Sequence, residues 1–250
     1  MLLLLSCSSV KQSFLSACVL LFCLSSSLLA EDHGKLIFQD DFERNESQET
    51  KDEIGKGWGT NSRSRAAGNK QVDLKNGAMY ISMHKVADHA VSVTHPAEFQ
   101  DGSVELRFML ENEKDSLGLN FADLKYKKVH AGHLFVAKVS PRYVELTDLK
   151  TGNMDLKTRE LRLAQKLPPE LQEALKAKRK RFPVKLKTGQ WYTLLVTVNG
   201  DQLTVKIDGE TIGSFSSEGM AHPTKRLLRL AVPRNAVVDD VKIYAKTMQE

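Results

Sequence analysis

Histidine side chains occur in two groups where an imidazole could act as a base or as a metal ligand. One group surrounds a short apolar stretch at 90–94, and the other flanks Ala131-Gly132. An imidazole titrates near neutral pH, so one of them could accept a proton in a polar cleft. No His-x-His or His-Glu-x-x-His spacing occurs, so the histidines do not indicate a metal site. The histidines concerned are His84, His89, His95, His130 and His133.

Two of these histidines, His89 and His133, are the candidate bases. Glu105 is the third candidate for a catalytic role, because strand alternation turns it outward from an apolar strand at 103–110. The alternative interpretation is that the histidines are scattered surface and strand-end residues without a catalytic role.

A further group combines planar amides, guanidinium groups and a tryptophan, which are side chains that recognise sugars. Amides and guanidinium groups form paired hydrogen bonds with hydroxyls, usually beside an aromatic ring. Asn61, Arg63 and Arg65 have strand spacing, which would place them on one face. An asparagine inside the apolar run 117–121 is costly unless it is satisfied or lines a cleft. The candidate substrate-binding residues are Trp58, Asn61, Arg63, Arg65, Arg107 and Asn120.

Adjacent acidic residues lie near both ends of the chain, at Asp40-Asp41 and Asp239-Asp240. The first and last strands of a sandwich commonly lie together, and carboxylate oxygens are the ligands that calcium prefers. Asp41, Asp239 and Asp240 are therefore candidate ligands of a structural calcium ion, and no other cofactor is predicted. The alternative is that these acids cap strand ends and protect a sheet edge from aggregation.

The first 30 residues have the pattern of a secretory signal. Lys11 precedes an apolar and small-residue run at 14–29, and Ala30 is followed by polar residues. Cys7, Cys18 and Cys23 all lie inside this segment. We expect one domain over 31–250 without disulfides, secreted or periplasmic, and with no membrane span after signal removal. An uncleaved anchor and a lipid attached at Cys18 are the alternatives.

The charge of the chain favours an acidic partner of the kind found outside cells. The formal net charge is +5 and the isoelectric point is about 9.0. An exported protein rarely meets nucleic acid, so an anionic polysaccharide is the expected counterpart. The strongest cluster of basic residues could bind an anionic polysaccharide or could be a solvated helix end. Its members are Lys176, Lys178, Arg179, Lys180 and Arg181.

The elements that must position these residues are short strands. Residues 190–215 alternate in a period of two around Asn199-Gly200 and Asp208-Gly209, which predicts an antiparallel meander of three strands. Asn76-Gly77 marks another hairpin. One helix is predicted near 168–181, where prolines precede an acid, two leucines and a basic end. The whole pattern predicts an all-β, two-sheet antiparallel jelly-roll sandwich with that one short inserted helix.

Motifs in both halves of the chain share a fixed order of turn glycines, aromatic residues and strands. They are FQDDF (38–42), GW (57–58), NGAMYI (76–81), DGSVELRF (101–108), GQWY (189–192), GDQL (200–203), VKIDG (205–209) and VDDVKI (238–243). This order resembles the concanavalin A-like lectin/glucanase superfamily, and most closely the bacterial 3-keto-disaccharide hydrolase-like domains. The resemblance covers nearly all of 36–246.

The resemblance implies a curved sheet that binds or cleaves carbohydrate. Laminarinase-type members carry catalytic carboxylates as Glu-x-Asp-x-x-Glu on one strand, and that motif is absent here. Glu111-x-Glu113-x-Asp115 follows the strand instead and is typical of a solvated loop. Hydrolysis by paired carboxylates is therefore not indicated. We expect a monomer that recognises carbohydrate, either as a glycoside hydrolase of the 3-keto-disaccharide type or as a non-catalytic module that binds a glycan or a protein.

Overall fold

The computed structural model describes residues 33–246, so the predicted signal peptide at 1–30 lies outside the described residues. Fifteen strands form two antiparallel sheets, which confirms the predicted sandwich. The strands are β1 (Lys35–Asp40), β2 (Gly59–Thr60), β3 (Val72–Lys75), β4 (Ala78–Ser82), β5 (Val91–Phe99), β6 (Gly102–Met109), β7 (Leu117–Ala122), β8 (His133–Val139), β9 (Tyr143–Asp148), β10 (Arg179–Pro183), β11 (Trp191–Asn199), β12 (Gln202–Ile207), β13 (Glu210–Ser216), β14 (Lys225–Val232) and β15 (Asn235–Ala245).

The two sheets combine strands from distant parts of the sequence. Sheet A has the order β13-β12-β11-β6-β15-β4-β3, and β1 also pairs with β15. Sheet B has the order β10-β9-β8-β7-β14-β5-β2. Most strands send alternate apolar side chains into one core between the sheets, as Val104, Leu106 and Phe108 of β6 illustrate. The side of a sheet that points away from this core is called its outer face below.

The predicted meander is present as β11, β12 and β13, with its turns at two-residue loops. Asp208 and Gly209 have φ angles of 48° and 81°, and Asn76 and Gly77 have 54° and 68°, as hairpin turns require. At the other turn only Gly200 has a positive φ, because Asn199 pairs with Gln202 and the loop is Gly200-Asp201.

The helices differ from the prediction in number and extent. They are α1 (Ser62–Arg65), α2 (Leu156–Leu163) and α3 (Pro169–Ala177), with a 3-10 turn at His130–Gly132. The predicted helix near 168–181 therefore exists but ends early, since Arg179–Pro183 is strand β10 and pairs with β9. Pairing with a sheet edge determines the conformation there, whereas the basic residues resemble a helix end only locally. Among residues 33–246 no helix is long and apolar enough to cross a membrane.

Candidate functional site

The middle of sheet B carries a lateral row of polar side chains on its outer face. Strand register sets Arg229 of β14 opposite Asn120 of β7 on one side and Thr94 of β5 on the other. Residues paired across antiparallel strands point to the same face of a sheet. Leu228 and Leu230 flank Arg229 and belong to the core, so the row of Arg229 points outward.

The central strand at this position, β7, is covered on both faces. All six residues of β7 are buried, although Gly118, Asn120 and Ala122 alternate with the core residues and face outward. Gly118 pairs with Ala231 of β14, and both are small. The outer face of β7 therefore carries small side chains beneath those of its neighbours, and His133 and Arg229 bond to Asn120 there. This part of sheet B, with Asn120, His133 and Arg229, is called the recess below.

His133, one of the predicted catalytic candidates, meets Asn120 in this recess. Its Nδ1 lies 3.1 Å from Asn120 Oδ1. Arg229 Nη1 also points at Asn120 Oδ1, at 3.4 Å, and a guanidinium can only donate. The amide atom between them is thus the acceptor oxygen, so His133 carries its proton on Nδ1 and keeps a lone pair on Nε2.

The guanidinium of Arg229 lies over the face of the His133 ring. Arg229 Nη1 is 2.9 Å from Nδ1 and 3.2 Å from Nε2 of His133. An atom this close to both ring nitrogens would collide with a ring carbon if it lay in the ring plane, so it must lie above the plane. The contact is an N–H group directed at an aromatic face, and the in-plane lone pair of Nε2 stays available.

His133 is neutral in this environment. Burial lowers the pKa of His133 to about 4, and the positive charge of Arg229 acts in the same direction. An imidazole that is deprotonated at neutral pH and has a fixed tautomer can accept a proton.

A second histidine, His130, lies beside His133. The ring of His130 is exposed and its centroid lies 6.5 Å from that of His133. Burial lowers the pKa of His130, and neighbouring positive charges lower it further. The positive charges that act on His130 are those of Arg159, Arg229, Arg65 and His89. Asp88 pairs with Arg65 at 3.3 Å, and its carbonyl oxygen lies 2.9 Å from His89 Nδ1.

A buried network fixes the turn that precedes His133. Ala131 and Gly132 have φ angles of 49° and 70°, and a Cβ at Gly132 would lie 2.6 Å from Asp123 O. The Asp123 N–H donates to Gly132 O at 2.9 Å. The carboxylate of Asp123 accepts hydrogen bonds from His222 Nε2 at 3.1 Å and from Arg226 Nη1 at 2.7 Å. This network holds the start of β8, and hence His133, in place beside Asn120.

The predicted strand geometry of Asn61, Arg63 and Arg65 is wrong. Ser62–Arg65 is helix α1, and positions two apart on a helix do not share a face. Asn61 bonds the backbone of β5 and its approach, donating to Ala90 O at 2.9 Å and accepting from Ser92 N at 3.0 Å. Ala66, Ala67 and a left-handed Gly68 end the helix. The recognition roles of Asn61, Arg63 and Arg65 stay predictions. Arg63 and Arg65 are exposed and follow β2 in the chain.

Trp58 belongs to the core and is 9% exposed, so it does not form an aromatic platform on the surface. Its Nε1 donates to Asp40 Oδ2 at 2.8 Å. Phe38 and His95 pack beside its ring, with centroids 5.8 and 5.0 Å away. The indole is therefore a structural contact between β1 and β5.

Glu105 and Arg107 lie on the opposite side of the molecule from His133. Both are on β6 and face outward from sheet A. Lys242 Nζ contacts Glu105 Oε1 at 3.0 Å, and Arg107 lies 4.8 Å from the centre of the Trp191 ring. The sandwich core separates them from the recess, so the predicted candidates divide between two faces and cannot form one site.

The three candidate calcium ligands lie near basic side chains. Arg107 Nη1 contacts Asp239 Oδ2 at 3.2 Å and Asp240 Oδ2 at 3.5 Å, and Lys56 Nζ lies 3.6 Å from Asp41. Asp41 and Asp240 line one surface cavity. Within residues 33–246 no group of three or more His, Cys, Asp or Glu side chains could hold a metal ion. The calcium hypothesis stays an untested prediction.

Arg229 is a site residue that the sequence patterns above do not identify. The signal for Arg229 is the run LLRLAV at 227–232, where a cation interrupts apolar residues in the same way that Asn120 does in β7.

The family of this chain follows from its sequence. A sequence model of the 3-keto-alpha-glucoside-1,2-lyase-like domain matches residues 48–235. The chain belongs to this family. The resemblance predicted above is thereby confirmed, and this 3-keto-alpha-glucoside-1,2-lyase-like domain is one of the carbohydrate-related β-sandwich domains. No curated protein sequence matches it significantly.

Solved structures share the fold of this 3-keto-alpha-glucoside-1,2-lyase-like domain. The laminarinase from Flavobacterium sp. UMI-01 has a TM-score of 0.55 and 14% identity, over 84% of this chain and 100% of that one. The Rhodothermus marinus laminarinase has a TM-score of 0.55 and 12% identity, over 86% and 98%. A variant of a GH16 endo-beta-1,3(4)-glucanase with an oligosaccharide at its active site has a TM-score of 0.55 and 17% identity, over 85% and 95%. Identities this low show the shared fold alone.

Proposed function

We propose that this chain is a secreted, monomeric carbohydrate-active domain that cleaves 3-keto-glucosides in the recess around His133. The observation that carries the proposal is the neutral imidazole of His133, which is oriented by Asn120 and lies beside the cation of Arg229. The family description names a 1,2-lyase that acts on a 3-keto-alpha-glucoside, and the geometry fits the chemistry of such a reaction.

The reaction begins with loss of the proton at C2 of the sugar. This proton is acidic because C2 adjoins the C3 ketone. His133 Nε2 accepts it, and the electron pair of the C2–H bond moves towards the ketone to form an enolate. The enolate then collapses to a C1–C2 double bond as the C1–O bond breaks. The bond pair leaves with the oxygen of the second sugar, which takes a proton and becomes a hydroxyl.

Arg229 supplies positive charge where the enolate develops. Its contacts with His133, Asn120 and Ala131 O use at most three of the five N–H donors of a guanidinium, so at least two remain for the C3 oxygen. The enolate also raises the proton affinity of the neighbouring imidazole during the step, which compensates for the low pKa of His133 in the free site.

Secretion and glycan recognition complete the proposal. The signal-like pattern at 1–30 supports export to the periplasm or the medium, where disaccharides and polysaccharides are met. Asn120, which bonds to His133, is the predicted recognition residue that lies within the recess.

The test is turnover of a 3-keto-α-glucoside that carries a nitrophenyl leaving group. We expect nitrophenol release with the oxidised sugar and none with the matching unoxidised α-glucoside, because only the ketone acidifies C2. Deuterium at C2 should slow the reaction, since the C2–H bond breaks in an elimination. Turnover of both sugars, or no isotope effect together with hydrolysis, would contradict the elimination.

Matched variants identify the base. His133→Gln should lower kcat by about 10²- to 10⁴-fold, the usual contribution of a general base. His89→Gln is the comparison, because His89 is exposed and is the other histidine among the predicted catalytic candidates. A larger loss in His89→Gln than in His133→Gln would assign the proton transfer to His89.

A non-catalytic glycan-binding module is the second candidate function. It is favoured by the absence of carboxylates among the described side chains that bond to His133, Asn120 or Arg229. Retention of a glycan without any release of product would establish it in place of the lyase.

A further inference from the structure

The outer face of sheet B carries a strip of cations that extends from the recess to the far edge of the sheet. Register continues the row of Arg229 and Asn120 through Val136 and Thr147 to Arg179 on β10. The next row contains Ala231, Gly118, Lys138, Glu145 and Arg181. Because residues in one row share a face, Arg229, Lys138, Arg179 and Arg181 all point to the same side.

The strip is long compared with a single sugar. Arg229 and Arg179 are four strands apart, which corresponds to about 19 Å at about 4.8 Å per strand. Between them the row presents Asn120, Val136 and Thr147, and the neighbouring row begins with Ala231 and Gly118. These side chains are small or neutral. At the far end the strip is bordered by α3, whose Gln172 and Leu175 line one surface cavity with Thr147 and Arg179. An extended oligosaccharide would therefore meet no charged side chain in this row between Arg229 and that cavity.

Positive charge on the strip is not balanced by carboxylates. Glu145 is committed to Arg181, with contacts of 3.1 and 2.6 Å. Within residues 33–246 no ion pair involves Lys138, Arg179 or Arg229. Lys138 and Arg181 instead lie over the ring of Tyr143, at 5.9 and 4.0 Å from its centre. The strip therefore offers three unpaired cations and an aromatic ring.

We propose that the outer face of sheet B binds an acidic oligosaccharide, with one unit in the recess at Arg229 and further carboxylates or sulfates on Lys138 and Arg179. Charge complementarity carries this assignment, together with the register that places Arg229, Lys138 and Arg179 on one face of the sheet. It rests on the proposed function in placing the reacting unit in the recess, and it adds the substrate class. Residues 179–183 form strand β10 and not the helix end predicted from the sequence. The strand places Arg179 and Arg181 on the same face of sheet B as the recess.

The test compares anionic oligosaccharides with neutral ones on the full chain. Isothermal titration with an oligogalacturonide, its methyl ester and a sulfated oligosaccharide of equal length separates the two anionic groups from uncharged sugar. We expect one or both anionic probes to bind and the methyl ester to bind at least tenfold more weakly. Equal binding of the oligogalacturonide and its ester, or stronger binding of double-stranded DNA, would overturn the proposal.

Single-charge variants locate the contact. Lys138→Gln and Arg179→Gln should each weaken binding about two- to fivefold, as expected for exposed ion pairs, and the effect should diminish with added salt. Lys35→Gln removes one exposed cation from β1 on sheet A and should change nothing. Unchanged affinity in both strip variants would refute the assignment. Wild-type turnover of a neutral 3-keto-disaccharide reports on the lyase separately, so either proposal can fail while the other stands.

Discussion

Arg229 Nη1 lies 2.9 Å from Nδ1 and 3.2 Å from Nε2 of His133, above the plane of the imidazole ring. A cation in this position disfavours a second positive charge on the ring, and burial of His133 acts in the same direction. Asn120 Oδ1 accepts a hydrogen bond from the Nδ1–H group of His133. The charge and the tautomer of His133 are therefore determined by two residues on adjacent strands, Arg229 and Asn120.

Replacing Arg229 should raise the pKa of His133. In Arg229→Gln the positive charge is lost while burial persists, so we expect the pKa to rise by roughly one unit from about 4 and to stay below its ordinary value. Proton NMR titration of the imidazole measures it directly. Arg142→Gln is the control, since Arg142 is an exposed residue paired with Glu113. A shift of equal size in both variants would argue against a local effect.

Asn120 allows a matched pair of substitutions. Asn120→Leu removes the acceptor for His133 Nδ1, so we expect the tautomer preference seen in imidazole nitrogen shifts to disappear, with stability reduced by about 1–3 kcal/mol. Asn120→Asp keeps an acceptor and adds a negative charge, which should raise the pKa of His133 by about 1–3 units. If both variants left the nitrogen shifts unchanged, Asn120 would not orient the ring.

The fold could be predicted from sequence where local signals and tertiary structure agree. Alternation in β6 and β11–β13 and the turns at Asn76-Gly77 and Asp208-Gly209 are local, so they identify strands and hairpins directly. Asn120 could be identified for a similar reason as an amide that needs polar partners, since it lies in an apolar strand, and the structure supplies His133 and Arg229.

The rest of the site depends on which strands become neighbours. His133 and Arg229 are 96 residues apart, and only the order β8-β7-β14 brings them together. Glu105 has the same alternation as Asn120 but lies on the other sheet, a distinction that periodicity cannot make. The sequence around Trp58 is compatible with either an aromatic platform or a core residue. The hydrogen bond from its indole to Asp40 shows that Trp58 belongs to the core.

Removal of divalent metal should leave the melting temperature unchanged. Asp239 and Asp240 lie within 3.2 and 3.5 Å of Arg107, so their charges are compensated without an ion. The measurement is a thermal melt with and without EGTA after extensive dialysis. A fall in melting temperature that calcium restores would establish the structural ion.

Asp40 should contribute much more stability than its neighbour Asp41. The Asp40 side chain is fully buried and accepts from Arg44 Nη1 at 2.6 Å and Trp58 Nε1 at 2.8 Å, whereas the Asp41 side chain is 63% exposed. We expect Asp40→Ala to lower the free energy of unfolding by about 2–4 kcal/mol and Asp41→Ala by less than about 0.5 kcal/mol. Urea denaturation at pH 7 measures both, and equal effects would contradict the anchoring role.

The cost of Asp40→Ala should also depend on pH. Burial would raise the pKa of Asp40, but hydrogen bonds from Arg44 and Lys56 outweigh it and hold the pKa below its usual value. A lowered folded-state pKa gives stability that is present above the unfolded-state value of about 3.9 and is lost as the pH falls through the folded value. The difference between wild type and variant should therefore shrink below about pH 4.

Lys225 is a cation inside the core of the sandwich. It is 1% exposed, its Nζ donates to Gln100 O, and it lies 5.8 Å from the centre of the Phe135 ring. Burial lowers the pKa of Lys225 to about 8. Between about pH 8 and 10.4 the unfolded chain keeps this proton and the folded chain has lost it, so stability from this group rises with pH.

Lys225→Met should remove this rise. Methionine has a similar volume and no charge, so only the wild type gains free energy of unfolding from this titration. The free energy of unfolding of the variant relative to wild type should decline by about 3 kcal/mol as the pH goes from 8 to above 10.4. Urea denaturation of both proteins across this pH range measures the difference, in which titrations common to both cancel. Parallel pH profiles would show that Lys225 keeps an ordinary pKa, and hence that water reaches its amine in the folded state.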